Sequence, residues 1–342
     1  MPEIGPESGI HGPNGSAARS GATAAPRLSV NLAPNNMHGL ELANPVLVAS
    51  GTFGYGTEYQ SLVDIQRIGA ICSKGITVRP RDGNPPPRIA ETPAGMLNAI
   101  GLQNVGLRAV VREKAPIWAR WSVPVIANIS GESIGEFEEL AGTLDGVPGI
   151  AGLEVNISCP NIRDGGRLFA DDAGSAAAVT RACRAVSSLP LMVKLSPNVG
   201  NIVEIAQAVE DAGADALSVA NTLLGMSIDV DRRRPYLANR TGGLSGPAVR
   251  PVIVRMVYQI TQSVSVPVVG VGGVTSTEDA LQYLLAGATA VQVGTANFVN
   301  PRTATEIVDG LTAYLAEHGI ADVSELIGAA HPTSARAAQS VG

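Results

Sequence analysis

Eight short apolar runs, most of them separated by one-sided helical patterns, constrain this chain more than any other feature. The runs cover residues 46–49, 70–73, 123–129, 153–157, 191–195, 216–220, 266–271 and 290–293. Runs of this length with little polar alternation suit strands buried on both faces, as in a parallel sheet. Between them, Ile202, Ile205, Ala206 and Val209 repeat at the spacing of one helix face, and Leu281, Leu284, Leu285 and Ala288 do the same. Ser133 with Glu136, and Thr275 with Glu278, read as capping boxes at helix starts. Eight strands alternating with helices predict an α/β fold, a closed (β/α)8 TIM barrel. An open doubly wound sheet is the competing architecture. It would place a dinucleotide fingerprint after the first strand, and the glycine-rich stretch from Ser50 to Gly56 lacks one.

The chain has 342 residues, enough for one barrel of about 250 residues with tails and insertions. Residues 1–27 are rich in Gly, Ala, Ser and Pro without apolar period and read as a disordered tail; 28–328 are expected to form the barrel, and 329–342 a flexible C-terminal tail. Two connections, 75–122 and 221–246, are too long for simple barrel turns and are expected to be active-site loops. The net charge of -6 argues against a nucleic-acid partner. No apolar run is long enough to span a membrane, and no signal peptide is visible, so a cytoplasmic protein is expected. The cysteines Cys72, Cys159 and Cys183 have neither disulfide nor metal or iron–sulfur spacing, so no metal is expected.

Four signals carry chemistry. The last two strands run into Gly272 and Gly273 and into Gly294 and Thr295, the two loops that commonly bind phosphate in this fold; the plainer reading is tight turns. The chain keeps only three lysines, and two of them, Lys74 and Lys194, end strands. There they can bind a cofactor carbonyl or stabilise an anionic reduced ring, unless they are snorkelling surface lysines. Cys159 stands where a polar stretch leaves the fourth strand, and a thiol there can act as general base. Cys72 and Cys183, inside a strand and a helix, read as inert. Finally Asn128, Asn156 and Asn221, the last followed by Thr222, lie at strand ends. Singly each could be a turn residue; together they offer donors and acceptors to a ring edge that alternates C=O and N–H.

These residues belong to an ordered set of motifs: Lys74-Gly75-Ile76-Thr77, Gly83-Asn84 with Pro87-Arg88, the run from Asn98 to Asn104, the run from Asn156 to Asn161, the run from Val193 to Pro197, the run from Thr241 to Gly246, and the two glycine loops. In this the chain resembles the dihydroorotate dehydrogenase family, and within it the class 1B catalytic subunits, over nearly all of residues 28–328. The resemblance implies one FMN across the barrel mouth, its phosphate on Gly272, Gly273, Gly294 and Thr295 and the rest in contact with Ser50, Lys74, Gly75, Asn128, Asn156, Lys194, Ala220 and Gly246. It implies dihydroorotate held by Lys74, Asn98, Ala99, Ile100, Gly101, Leu102, Asn156, Asn221 and Thr222, with Cys159 as the base at carbon 5 and orotate as product. Class 2 members carry serine in place of Cys159 and a membrane-docking extension, of which the N-terminal region shows no amphipathic sign. The resemblance further implies a homodimer joined by a second subunit that carries FAD and an iron–sulfur cluster and passes electrons to NAD. Alternatives are fumarate as acceptor, another dihydropyrimidine as substrate, and, from a different class, a non-catalytic nucleotide-binding barrel.

Overall fold

The computed structural model describes residues 25–157, 169 and 172–332. Cys159 lies outside these residues. The eight expected strands are all present: β1 (Val46–Val48), β2 (Ala70–Cys72), β3 (Val125–Ile129), β4 (Gly152–Asn156), β5 (Leu191–Lys194), β6 (Ala216–Val219), β7 (Val268–Val271) and β8 (Ala290–Val293). They pair in chain order, all parallel, and β6 joins β5 and β7 to complete a closed barrel. Several strands stop one residue short of the apolar run, yet that residue keeps a ladder bond on one side. Ser73 N donates to Ile126 O at 2.9 Å, and Leu195 N donates to Ser218 O at 2.9 Å. The chain thus peels off the sheet gradually, toward the mouth.

Helices α1 (Ile134–Leu144), α2 (Ala173–Val186), α3 (Ile202–Asp211), α4 (Arg250–Ile260), α5 (Thr277–Leu285) and α6 (Thr303–Glu317) follow the third to the eighth strands. Each buries an apolar stripe; α3 buries Ile202, Ile205, Ala206 and Val209, the face read from the sequence. The two expected capping boxes differ from expectation. Ser133 accepts from Glu136 N at 3.2 Å, but Glu136 reaches back to Glu132 N, not to the cap. The box of α5 is shifted by one residue, to Ser276 and Asp279. The short Asp279 carboxylate takes the N–H groups of Thr275 and Ser276 and also pairs with Arg250, a set of partners that Glu278 does not have.

The long connections are more ordered than loops. Residues from both form one antiparallel sheet over the barrel mouth, in the order Leu223–Gly225, Gly242–Ser245, Gly95–Asn98, Ile89–Thr92. Residues 107–118 are helical too, with a π-type turn, Val110–Lys114, in the middle. Pro116 has no N–H to give Arg112, so the regular ladder cannot run through this stretch; Ala115 N bonds to Val110 O instead. At the opposite end of the barrel a short hairpin, Val30–Asn31 with Glu41–Leu42, precedes β1 and buries Leu32 and Leu42. Backbone hydrogen bonds extend from Arg27, which pairs with Ala321, to His331, three residues past the expected end of the barrel.

Candidate active site

A parallel barrel directs the C-terminal ends of all its strands to one mouth, and side chains there can converge from distant parts of the chain. Lys74 and Gly75 follow β2, Asn128 is the next-to-last residue of β3, and Asn156 and Lys194 end β4 and β5. Ala220, Asn221 and Thr222 follow β6, Gly272 and Gly273 follow β7, and Gly294 and Thr295 follow β8. Ser50, buried, lies two residues beyond β1.

The loops after the last three strands meet. Thr295 Oγ1 donates to Ser245 Oγ at 2.7 Å. A Cβ on Gly273 would lie 2.8 Å from Gly246 O, and its φ of +68° is one that side chains rarely adopt. Close packing on the start of α4 therefore accounts for Gly273 by itself. Gly294 is different: an added Cβ would meet only Ala49, at 3.7 Å, so the space above it is open. Small residues, two hydroxyls and nearby backbone N–H groups make a donor set suited to a phosphate.

On the other side of the mouth, Gly75 sits between Leu102 and Asn128. A Cβ there would be 3.7 Å from Leu102 Cδ2 and 3.2 Å from Asn128 Oδ1. That Oδ1 is fully buried and has no hydrogen-bond partner among the described residues. A buried acceptor left bare is unfavourable by about 1–3 kcal/mol, and a ring N–H entering the mouth would satisfy it. The residues present therefore fit a flavin: an unpaired acceptor and a lysine for the ring edge, hydroxyls and glycines for the phosphate.

Asn156 and Asn221 touch, Asn221 Nδ2 donating to Asn156 Oδ1 at 3.3 Å. Thr222 N is held by Asn221 Oδ1 at 2.8 Å. Asn98 reaches Gly243 O, and Asn84 holds Ala99 O at 3.0 Å and Ile100 O at 2.9 Å, which shapes the loop through Gly101. Leu102, not a glycine, adopts φ 55°, an uncommon conformation that turns the loop toward Gly75. Lys74 is half-buried; burial, and then the Arg88 guanidinium, push its ammonium below the usual lysine range, with Glu58 opposing. Arg88 is fixed by Gln103 at 2.6 Å.

Sequence reading overlooked the layer beneath. Glu154 in β4, Ser218 in β6 and Gln292 in β8 are each fully buried inside the barrel. Their signal was a single polar residue in the middle of an apolar run. Burial, and then Glu154, push the Cys72 thiol well up; burial pushes the Cys183 thiol up to about 12. Both side chains are fully buried, and Cys72 Sγ accepts from Gln292 Nε2 at 3.2 Å. Among the described residues no cluster of His, Cys, Asp or Glu is placed to hold a metal ion, and no helix is long and apolar enough to cross a membrane.

The sequence profile described as "Dihydroorotate dehydrogenase" matches residues 32–315, which span the barrel and the sheet over its mouth. The chain belongs to the dihydroorotate dehydrogenase family. Similar relatives in that family bear the name "Dihydroorotate dehydrogenase B (NAD(+)), catalytic subunit". The one from Trichlorobacter lovleyi is 60% identical over 290 residues, 85% of this chain and 95% of the relative. The one from Pelobacter propionicus is 57% identical over 304 residues, covering 89% and 98%. That from Desulforudis audaxviator is 57% identical over 295 residues, covering 86% and 96%.

Proposed function

We propose that this chain oxidises dihydroorotate to orotate, in the route to UMP, with FMN bound at the barrel mouth and Cys159 as base. The observation that carries the flavin is the bare, buried Asn128 Oδ1 beside Gly75, at the same strand ends as Lys194 and the phosphate-suited loops. Ser245, Thr295 and the glycines after β7 and β8 hold the phosphate. Asn128 and Lys194 take the pyrimidine edge of the ring system, with Ser50, Gly75, Asn156, Ala220 and Gly246 around it. FMN, when bound, accepts the hydride that leaves carbon 6 of the substrate.

The chain's own residues do the rest. Lys74 supplies a cation for the substrate carboxylate, whose negative charge offsets the repulsion from Arg88. Asn156 and Asn221, already in contact, with Thr222 and the loop of Asn98, Ala99, Ile100, Gly101 and Leu102, orient the ring through its alternating donors and acceptors. Cys159 takes the proton from carbon 5, so that a C5–C6 double bond forms as that proton and the carbon 6 hydride depart. The protein works in the cytoplasm as a homodimer. A second subunit, with FAD and an iron–sulfur cluster, carries the electrons to NAD; the printed name of the relatives, a catalytic subunit linked to NAD(+), supports that arrangement.

The test is Cys159→Ala and Cys159→Ser, followed by anaerobic stopped-flow absorbance. Cys159→Ala retains FMN and loses substrate-driven bleaching. Cys159→Ser turns over slowly and faster at high pH, because a hydroxyl is a much weaker base. Flavin reduction in Cys159→Ala at the wild-type rate would show that the base is another group.

A further inference from the structure

Glu154 is a carboxylate at the centre of the barrel, with no solvent exposure. Isolated, it would be strongly unfavourable there. It is instead surrounded. Oε2 accepts from Asn128 Nδ2 at 2.5 Å and lies 3.8 Å from Lys194 Nζ. Oε1 accepts from Ser218 Oγ at 2.9 Å and from Gln292 Nε2 at 2.8 Å. The strand register builds this set: Asn128 is the direct neighbour of Glu154 across β3 and β4, and Lys194 pairs with Ser218 across β5 and β6.

An ionised carboxylate only accepts hydrogen bonds. Any amide that leans on it must turn its NH2 inward and its oxygen away. The orientation of Asn128 is therefore enforced by chemistry: Nδ2 faces Glu154, and Oδ1 is left bare on the side of Gly75, toward the mouth. Gln292 obeys the same rule, and its Oε1 is also bare among the described residues. The same carboxylate balances the Lys194 ammonium, whose side chain is only 7% exposed. One buried group thus governs both the acceptor and the cation presented to the mouth.

We propose that Glu154 is the positioning residue of the flavin site: through Asn128 and Lys194 it fixes which hydrogen-bond polarity and how much net positive charge the ring edge meets, and so sets FMN affinity and reduction potential. This rests on the flavin reading above. A Gln at 154 can donate as well as accept, so Asn128 is free to present its NH2 to the mouth, where a ring N–H then meets a donor. It also removes the negative charge beside Lys194, which favours the electron-rich reduced ring.

The experiment uses the full chain, stripped of flavin and titrated with FMN by fluorescence quenching, then poised with redox dyes of known potential. Glu154→Gln is expected to bind FMN about tenfold more weakly. It should also favour reduced over oxidised flavin about tenfold more, a rise of about 30 mV for a two-electron couple. In an Asn128→Ala background the part of the affinity effect that Asn128 carries disappears, while the shift in potential, carried by Lys194, remains. Glu154→Asp keeps the charge but withdraws it by one methylene, so it holds the wild-type potential and loses affinity; it decides the matter alone if Glu154→Gln does not fold. Wild-type affinity and potential in Glu154→Gln, or wild-type affinity in Glu154→Asp, would overturn the role. A wild-type apoprotein that takes up no FMN would instead overturn the flavin reading.

Discussion

The barrel and the four-stranded sheet over its mouth are built by different means. Barrel strands are fully enclosed: Leu47, Ile71, Ile126, Val193, Leu217 and Val291 have no solvent exposure and belong to one continuous core. The sheet over the mouth has a small cluster of its own, Ala90, Leu97 and Leu237, with Ala99 and Leu244 packed against it, and it meets the main core through the partly buried Leu223 and Leu244. Its outer residues are open, Leu224 at 62% exposure. What defines its shape is close approach to glycines: a Cβ on Gly243 would fall 1.9 Å from the Thr222 side-chain Oγ1, and one on Gly95 1.9 Å from the backbone Ser245 O. Hydrophobic burial holds the strand ends of the barrel, and tight steric fit holds the sheet over its mouth. Elements with few buried apolar contacts open at lower free energy than the core, so the sheet over the mouth is expected to open before the barrel does.

The largest expected effect separates the two regions by stability. Leu47→Ala, in the barrel core, lowers global stability by about 2–5 kcal/mol and the thermal midpoint by several degrees. Leu97→Ala, in the small cluster, leaves the midpoint within about 2 °C and shows up as faster amide exchange confined to Ile89–Thr92, Gly95–Asn98 and Gly242–Ser245. Equal loss of global stability in both variants would mean that barrel and sheet unfold as one unit. A smaller effect separates them by ligand. Gly243→Ala displaces Thr222 and weakens orotate binding about tenfold, roughly 1.4 kcal/mol, while FMN affinity stays within twofold. Joint loss of both ligands in a titration of Gly243→Ala would break the division.

The same contrast explains how much could be read from the sequence. Strands buried on both faces leave continuous apolar runs, so all eight barrel strands were legible, and with them the strand-end positions of Lys74, Lys194 and the asparagines. The runs also concealed something: Glu154, Ser218 and Gln292 each stand alone among apolar neighbours, and only the closed barrel shows them to be one network. The sheet over the mouth was not legible. Its strands are short, contain glycine, and pair across long separations, as with Asn98 and Gly243, 145 residues apart. The start of α5 was misplaced by one residue because Thr275, Ser276 and Thr277 are all plausible caps and only tertiary contact with Arg250 selects Asp279 as the partner.

The central claim is that the mouth binds a flavin which dihydroorotate reduces. Its most direct test is an anaerobic absorbance spectrum of the purified full chain before and after addition of dihydroorotate. A yellow protein whose flavin band bleaches on addition is the predicted result. A colourless protein that incubation with FMN fails to turn yellow would contradict the account.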